Sequence, residues 1–279
     1  MINGTEMPRV KELTIPDDVK EILQDSIVTD QLVTLPGTLE RSVYTRVDKI
    51  LKAMGLKWNK ALGGHAGPGI NPSEMFHDIL AAGKVVNTQQ TYQEFFTPPD
   101  LASQIYWEWH SNAMLVPGRP YRVLEPSAGD GALIRATMAD IPSPEQVSCL
   151  AVEIQAKNCQ RLREQFPNLC VIEADFLKLD RRLFGLFDAV VMNPPFNANQ
   201  DIQHVQHAFE FLKPGGHLVA IISPAARNGA QKAQKAFQEF IQRYMLKEQL
   251  IKEGTFKQSG TSVQTHMIVL QRPFESQMG

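Results

Sequence analysis

Apolar residues follow two different patterns along the chain, and the change between them falls near residue 90. Beyond Thr91, short apolar runs alternate with stretches whose apolar positions recur every three or four residues. The short runs predict buried strands, and the three-to-four spacing predicts amphipathic helices. The predicted strands are residues 121–124, 147–154, 169–173, 187–192, 217–223, 248–253 and 264–271. Such alternation predicts an α/β fold with a doubly wound, mostly parallel seven-stranded sheet, whose last two strands form a hairpin-like pair.

The first part of the chain has a helical pattern instead. Val19, Ile22, Leu23 and Ile27 are spaced three and four residues apart, as on one face of a helix. Two further helical stretches are expected near residues 39–54 and 71–80. We therefore predict a small, mostly helical module over residues 1–88 and an α/β domain over residues 89–279.

Composition narrows the class of protein. A chain of 279 residues, 43% of them hydrophobic, can form one large domain and a smaller one. The net charge of −2 argues against a protein that coats nucleic acid through its overall charge. Cys149, Cys159 and Cys170 match no metal-site spacing, and their odd number is typical of a reducing compartment. The sequence shows no apolar leader or membrane-length run, so we expect a cytoplasmic protein without a metal or a membrane partner.

A glycine-containing loop follows the first predicted strand of the α/β domain. Gly129 and Gly131 allow backbone torsions that other residues avoid, so the loop can approach a ligand closely. Its spacing does not match the G-x-G-x-x-G dinucleotide fingerprint. Acids in this loop suit a cationic ligand with an amino-acid tail, whose ammonium group Glu125 or Asp130 can bind. The candidate cofactor residues here are Glu125, Pro126, Ser127, Ala128, Gly129 and Gly131.

The next two predicted strands also end in acids. Glu153, followed by Ile154, stands where an acid can bind both ribose hydroxyls of a nucleoside. Asp175 follows the third strand, where its carboxylate can accept a hydrogen bond from an adenine amino group, and Phe176 can cover the ring. Acids at three successive strand ends predict a nucleoside-containing cofactor at this edge of the sheet.

The fourth strand ends in the tetrapeptide Asn193-Pro194-Pro195-Phe196, which we predict to be catalytic. The Asn193 side chain offers a carbonyl oxygen, and the Pro194 backbone carbonyl can be a second acceptor. Two consecutive prolines restrict the backbone there, and Phe196 can stack on a flat base. Two acceptors aimed at one amine make its delocalised lone pair available. The motif is therefore suited to methyl transfer onto a conjugated nitrogen.

Upstream lies Phe95-Phe96-Thr97-Pro98. Thr97-Pro98 is typical of a helix N-cap followed by proline. The aromatic faces of Phe95 and Phe96 can attract a positively charged methyl donor. We therefore add Phe95, Phe96 and Thr97 to the predicted cofactor residues.

Together these motifs resemble the S-adenosylmethionine-dependent N6-adenine DNA methyltransferases, in particular type I modification subunits and phage or plasmid adenine methylases. The resemblance covers about Thr91 to Arg272, including Gly254-Thr255-Phe256 through Thr265, which is similar to the family's late hairpin beside the target base. It implies a class I methyltransferase fold of Rossmann-like type, S-adenosylmethionine as cofactor and adenine-containing DNA as partner. It also implies that Asn193 and Pro194 bind the amine of a flipped adenine, and that Phe196 stacks on the base.

Target recognition stays unassigned. The family usually carries a large separate recognition region, whereas about eight residues follow the last predicted strand here. Recognition then depends on residues 1–88, on residues near Gln200 or on a partner chain, or the chain hardly distinguishes sequences, so a partner subunit or a homodimer stays open. The basic stretch Leu39–Lys60, with six Lys or Arg residues against two acids, is the candidate DNA contact.

Three other functions remain compatible with the motifs. The Asn-Pro-Pro-aromatic core also serves adenine methylation in RNA and glutamine methylation in release factors. Phe196 and the Phe-Phe-Thr-Pro element favour DNA over both. A methyltransferase fold that only holds nucleic acid or a partner is the third alternative, and the acids and Asn193 argue against it.

Overall fold

The computed structural model of the chain describes residues 12–67, 71–86, 97–112, 119–139, 146–252 and 264–274. The chain divides into two compact units, residues 1–94 and residues 95–279. Within the described residues, no helix is long and apolar enough to span a membrane.

The first unit contains helices at the three predicted places and six strands that the sequence pattern does not predict. The first helix ends before Ile27, which the pattern placed on its apolar face and which is exposed. The helices are α1 (Asp17–Gln24), α2 (Arg41–Ala53) and α3 (Pro72–Ala82). The strands are β1 (Glu12–Thr14), β2 (Ile27–Val28), β3 (Val33–Thr34), β4 (Lys57–Asn59), β5 (Gly64–Ala66) and β6 (Lys84–Val86). Strands β1 and β6 pair antiparallel, and the other four form an antiparallel sheet in the order β2-β3-β5-β4. With two or three residues each, these strands are too short to show a periodic pattern.

Apolar side chains at helical spacing form the core of the first unit. Val19 and Leu23 of α1 and Val47 and Leu51 of α2 are fully buried and lie in one cluster. They are four residues apart in each helix, which places them on one helix face. Asn71 caps α3, because its side chain accepts a hydrogen bond from the Ser73 N–H.

The second unit is built around one seven-stranded sheet. Its strands are β7 (Tyr121–Glu125), β8 (Val147–Glu153), β9 (Cys170–Glu173), β10 (Phe187–Met192), β11 (Leu212–Ile222), β12 (Met245–Ile251) and β13 (Thr265–Gln271). Its helices are α4 (Pro99–Asn112), α5 (Ala132–Ala139), α6 (Ala156–Gln165), α7 (Arg181–Phe184), α8 (Gln200–Phe209), α9 (Pro224–Asn228) and α10 (Lys232–Tyr244).

The strand order is β12-β13-β11-β10-β7-β8-β9, and apolar clusters line both faces of the sheet. Strands β11, β10, β7, β8 and β9 pair in parallel, whereas β13 pairs antiparallel with both β11 and β12. The prediction of a doubly wound, mostly parallel seven-stranded sheet is therefore confirmed. The order reverses between β10 and β7, and ligands in such sheets bind beyond the carboxyl ends of the strands at this point.

Strand β10 lies at the centre of the sheet, and every residue in it except Asp188 is buried. The Asp188 carboxylate accepts hydrogen bonds from the Arg122 N–H at 2.9 Å, the Arg119 guanidinium at 2.8 Å and the Lys213 ammonium at 2.7 Å. These bonds tie the start of β10 to both neighbouring strands and so determine where the opposite end, at Asn193, emerges.

Candidate active site

Four polar strand ends lie at one edge of the second unit's sheet. Strand β7 ends at Glu125, β8 at Glu153 and β10 just before Asn193, while Asp175 stands two residues beyond β9. These strands are parallel neighbours, so their carboxyl ends meet at the same edge. The structure thus places the acids of the predicted cofactor site next to the predicted catalytic motif.

The loop after β7 is clamped onto the end of β8. The Glu153 carboxylate accepts one hydrogen bond from the Gly129 N–H and one from the Gln155 N–H, each at 2.8 Å. The Ala128 N–H donates to the Val152 carbonyl at 3.0 Å. A carboxylate has about four acceptor positions, so Glu153 can hold its own backbone in place and still accept from ligand hydroxyls.

Glycine is required at position 131. Gly129 and Gly131 have φ values of +53° and +80°, a region that residues with a Cβ avoid. A Cβ at Gly131 would lie 2.7 Å from Leu162 Cδ2 and 3.0 Å from Phe166 Cε2, both on the helix side of the loop. The loop therefore packs tightly against Leu162 of α6 and against Phe166, the residue that follows this helix.

We expect Gly131→Ala to destabilise the second unit by about 2–4 kcal/mol, because the strained φ and the collision with Leu162 add to each other. Gly83→Ala is the matched control, since Gly83 has φ +65° and no atom within 4 Å of a built Cβ. It should cost about 1 kcal/mol. Urea denaturation of both variants measures the difference, and equal losses would show that the packing against α6 contributes nothing.

Glu125 is a buried acid at the centre of this edge, 1% exposed. Within the described residues, no donor reaches either carboxyl oxygen with hydrogen-bond geometry. Burial raises the pKa of Glu125 well above its ordinary value; the Ser127 N–H, which is near the carboxyl but not in hydrogen-bond geometry, opposes this shift, and Glu153 and Asp130 add to it. Burial also raises the pKa of Asp130. Among the described residues no cation lies near the Glu125 carboxyl group, and an ammonium group would supply that counter-charge, so the site fits a cationic ligand.

The predicted catalytic motif lies directly after β10. The Asn193 side-chain nitrogen donates to the Thr97 hydroxyl oxygen at 3.1 Å, and Thr97 is 8% exposed. This bond orients the amide, so the carbonyl oxygen Oδ1 faces away from Thr97. Pro194 is buried, whereas Pro195 and Phe196 are half-buried. Thr97 is therefore placed beside the catalytic motif, and α4 begins at Pro99 rather than directly after Thr97.

The segment after Phe196 has an unusual backbone. Ala198 and Asn199 have φ values of +52° and +59°, and they are the non-glycine residues with positive φ in the described part of the chain. The Asn199 side chain donates to Gln231 at 3.3 Å and accepts from Gln234 at 3.0 Å. Gln231 and Gln234 form the capping box of α10. The first turn of α10 thus holds the segment that follows the motif.

The remaining predicted cofactor residues differ in exposure. Asp175 caps a short 3₁₀ turn through the Leu177 N–H at 3.1 Å and contacts the Lys178 ammonium at 3.3 Å. Phe176 is 2% exposed and packs against Phe211 in the core. Pro126 and Ala128 are buried, and Ile154 is half-buried at the end of β8. The adenine-covering role of Phe176 stays a prediction.

Sequence reasoning missed His204. From the sequence alone, His204-x-x-His207 is typical of a helix surface, because no carboxylate or cysteine stands nearby to complete a metal site. The structure shows instead that His204 is 8% exposed and that its Nδ1 lies 3.3 Å from the Ser127 hydroxyl. Burial lowers the pKa of His204 to about 4, although the charge of Asp175 opposes this. The ring is therefore neutral at pH 7 and connects α8 to the cofactor loop. Its position on the apolar face that carries Val205 and Ala208 was the available signal.

Two predicted elements fall outside the described residues. These are Phe95 and Phe96, and the late hairpin from Gly254 to residue 263. Their proposed contacts with the methyl donor and with the target base stay predictions.

Comparison with known proteins adds to this geometry. The family model of the methyltransferase small domain matches residues 100–256, more than half of the chain. No curated protein matches the sequence.

Solved structures share the fold at low sequence identity. A type I restriction-modification methyltransferase subunit from Streptococcus thermophilus is 17% identical with a TM-score of 0.57, over 64% of this chain and 44% of that one. A class I S-adenosylmethionine-dependent methyltransferase from Listeria monocytogenes is 12% identical with a TM-score of 0.54, over 68% and 66%. The type I restriction enzyme EcoKI M protein is 13% identical with a TM-score of 0.55, over 94% and 58%. The chain therefore spans less than half of the Streptococcus subunit and under two thirds of the EcoKI protein.

The acids at three strand ends, the glycine loop that Glu153 clamps and the family match together confirm the methyltransferase fold expected from the motifs. The chain belongs to the methyltransferase small domain family, and the expected cofactor, S-adenosylmethionine, agrees with that membership.

Proposed function

We propose that the chain transfers a methyl group from S-adenosylmethionine to the N6 amine of an adenine in DNA. The observation that carries this proposal is the Asn193 amide, which Thr97 holds at the switch point of the sheet. The amide lies beside the strand ends that carry the acids of the proposed cofactor site. A side-chain carbonyl at this place is suited to accept a hydrogen bond from an amine that is about to react.

The exocyclic amine of adenine is a poor nucleophile, because its lone pair is delocalised into the ring. The Asn193 Oδ1 atom and the Pro194 carbonyl oxygen can accept its two N–H groups. These acceptors favour a tetrahedral nitrogen whose lone pair is free to attack. Phe196, half-buried beside the motif, can stack on the base at about 1–3 kcal/mol. Water can take the proton that the product loses, so no strong general base is required.

Residues of three strand ends would hold the cofactor. Glu125, a buried acid with no cationic partner among the described residues, would bind its ammonium group, and Glu153 would accept from its ribose hydroxyls. Asp175 would accept from its adenine amine, and the loop from Pro126 to Gly131 would pass close to it. When bound, S-adenosylmethionine supplies an electrophilic methyl group next to a cationic sulfur.

Phe196, the Phe-Phe-Thr-Pro element and the fold support DNA as the substrate. Phe196 and the Phe-Phe-Thr-Pro element resemble the adenine DNA methyltransferases more than the RNA or glutamine enzymes. The fold is shared with type I modification subunits. A base inside a duplex is out of reach, so the proposed reaction includes flipping of the target adenine.

A methylation assay with tritiated S-adenosylmethionine tests the substrate class. We expect incorporation into adenine-containing duplex DNA and none into the same duplex with N6-methyladenine at every adenine. Transfer RNA, ribosomal RNA and a release factor are the competing substrates. Incorporation into one of these but not into DNA would contradict the proposal. Binding of DNA without turnover would favour the non-catalytic alternative.

A further inference from the structure

The first unit carries an exposed β-hairpin formed by β4, β5 and the turn between them, residues 57–66. We call it the Trp58 hairpin. Trp58 is 54% exposed and Leu62 48% exposed, although both are large apolar residues. Lys57 and Lys60 are exposed on either side of Trp58. Strand β4 is at the edge of its four-stranded sheet, so the outer edge of the hairpin is unpaired in that sheet.

The Trp58 ring packs against the buried ring of His65. Trp58 and His65 are directly opposite each other on β4 and β5, and their rings meet edge-to-face at 5.4 Å and 70°. His65 is itself fully buried, and its Nε2 atom lies 3.3 Å from the Tyr44 hydroxyl. Trp58 therefore has a supported orientation and an open face, rather than the freedom of an ordinary surface side chain.

The turn is also built rigidly. The Asn59 side chain accepts hydrogen bonds from the Ala61 N–H at 3.0 Å and the Leu62 N–H at 3.2 Å. Gly63 has φ +67°, and a Cβ at Gly64 would collide with Leu32 and with the Val33 carbonyl. The backbone that carries Lys57, Trp58 and Lys60 is thus fixed before any partner arrives, which reduces the entropy lost on binding.

The positive charge of the hairpin is available to a partner. Within the part of the chain that the structure describes, neither Lys57 nor Lys60 forms an ion pair. On helix α2 the charge is partly used internally, because Arg46 pairs with Asp18 and Lys52 with Asp48, each at 2.6 Å. The DNA contact predicted for Leu39–Lys60 is therefore better placed at the C-terminal end of that stretch.

We propose that the Trp58 hairpin binds a DNA strand, with Trp58 stacked on an unpaired base and Lys57 and Lys60 on the adjacent phosphates. Nucleic acid offers a flat aromatic face and negative charge at short spacing, which is the combination that this surface complements. The choice of DNA rests on the proposed function. The contact itself needs no adenine, because stacking tolerates any base.

The test uses the full chain and a fluorescently labelled, single-stranded oligothymidine of twenty nucleotides, which contains no adenine. Fluorescence anisotropy gives the affinity. Trp58→Ala should weaken binding on the order of tenfold, and Trp58→Phe should restore most of the loss. Trp107→Ala is the matched control, since Trp107 is also 54% exposed but lies on α4. Equal affinity of Trp58→Ala and wild type, or an equal loss in Trp107→Ala, would overturn the proposal.

A second variant avoids the packing against His65. Lys57→Ala with Lys60→Ala should lower the slope of log K against log salt by about 1.4, from 0.7 per phosphate contact on single strands. Lys232→Ala with Lys235→Ala, on α10 of the other unit, should leave the slope unchanged. A slope unaffected by the first pair would overturn the proposal even if Trp58→Ala fails to fold.

These results separate the hairpin from the reaction. If the hairpin variants lose affinity but no adenine in DNA is ever methylated, the proposed function fails and the binding surface stands. If DNA is methylated and the hairpin variants bind oligothymidine like wild type, the binding surface alone is refuted.

Discussion

Replacing Asn193 by alanine will reduce methyl transfer about 10³-fold while leaving the affinity for S-adenosylmethionine within twofold of wild type. The substitution removes the side-chain carbonyl that would accept from the target amine, but the cofactor loop and its clamp on Glu153 are untouched. Single-turnover methylation measures the rate, and isothermal titration measures cofactor affinity. A variant that keeps wild-type rates would refute the role of the motif.

Two further substitutions make the result specific. Thr97→Val removes the hydroxyl that receives the Asn193 N–H, so the amide loses its orientation and the rate should fall about tenfold with KM for the cofactor unchanged. Asn168→Ala replaces an exposed asparagine in the turn before β9 and should behave like wild type. If Thr97→Val raised KM for the cofactor and left the rate unchanged, Thr97 would belong to cofactor binding instead.

Replacing Glu125 by glutamine will weaken cofactor binding about 100-fold and will also make the protein more stable at neutral pH. Affinity falls because the ammonium group of S-adenosylmethionine would lose the buried carboxylate that we propose as its partner. Stability rises because burial raises the pKa of Glu125 in the folded state, so ionising this carboxyl at neutral pH favours the unfolded state. Glutamine has no such ionisation. The wild type therefore loses stability as the pH rises from the unfolded pKa towards the folded pKa, and glutamine removes this loss.

The pH dependence provides the check on Glu125. Below pH 4.5 the two proteins should be equally stable, and the advantage of Glu125→Gln should grow by up to about 1.4 kcal/mol per pH unit above that value. Thermal unfolding at pH 5 and pH 8 measures the change. Glu173→Gln, at the exposed end of β9, is the control and should show neither effect. A pH-independent difference would mean that Glu125 is already ionised without ligand.

Much of the second unit could be predicted from the sequence because its strands are buried and continuous. The run Phe187–Met192 is apolar apart from Asp188, so both the strand and its end at Asn193 were visible. The alternation of strands and helices then predicts that the strands are parallel, and parallel strands bring Glu125, Glu153 and Asp175 to one edge of the sheet.

Contacts between distant segments could not be predicted in the same way. Thr97 and Asn193 are 96 residues apart, and nothing in the local pattern of either residue names the other. His204 was misjudged because a polar residue on an apolar helix face can be buried if it finds a partner, here the Ser127 hydroxyl. The strands of the first unit were missed because two or three residues show no alternation.

Ala198 and Asn199 hold the segment after Phe196 in a fixed shape, and this shape lowers the stability of the fold. Each residue is held in a conformation that costs about 1–3 kcal/mol, and glycine would relieve most of that cost. The capping box of α10 supplies the opposing restraint through Gln231 and Gln234. A chain with glycine at both positions would be more stable, but the segment that carries Phe196 would be less rigid. A fixed orientation of this aromatic ring therefore lowers the melting temperature of the protein.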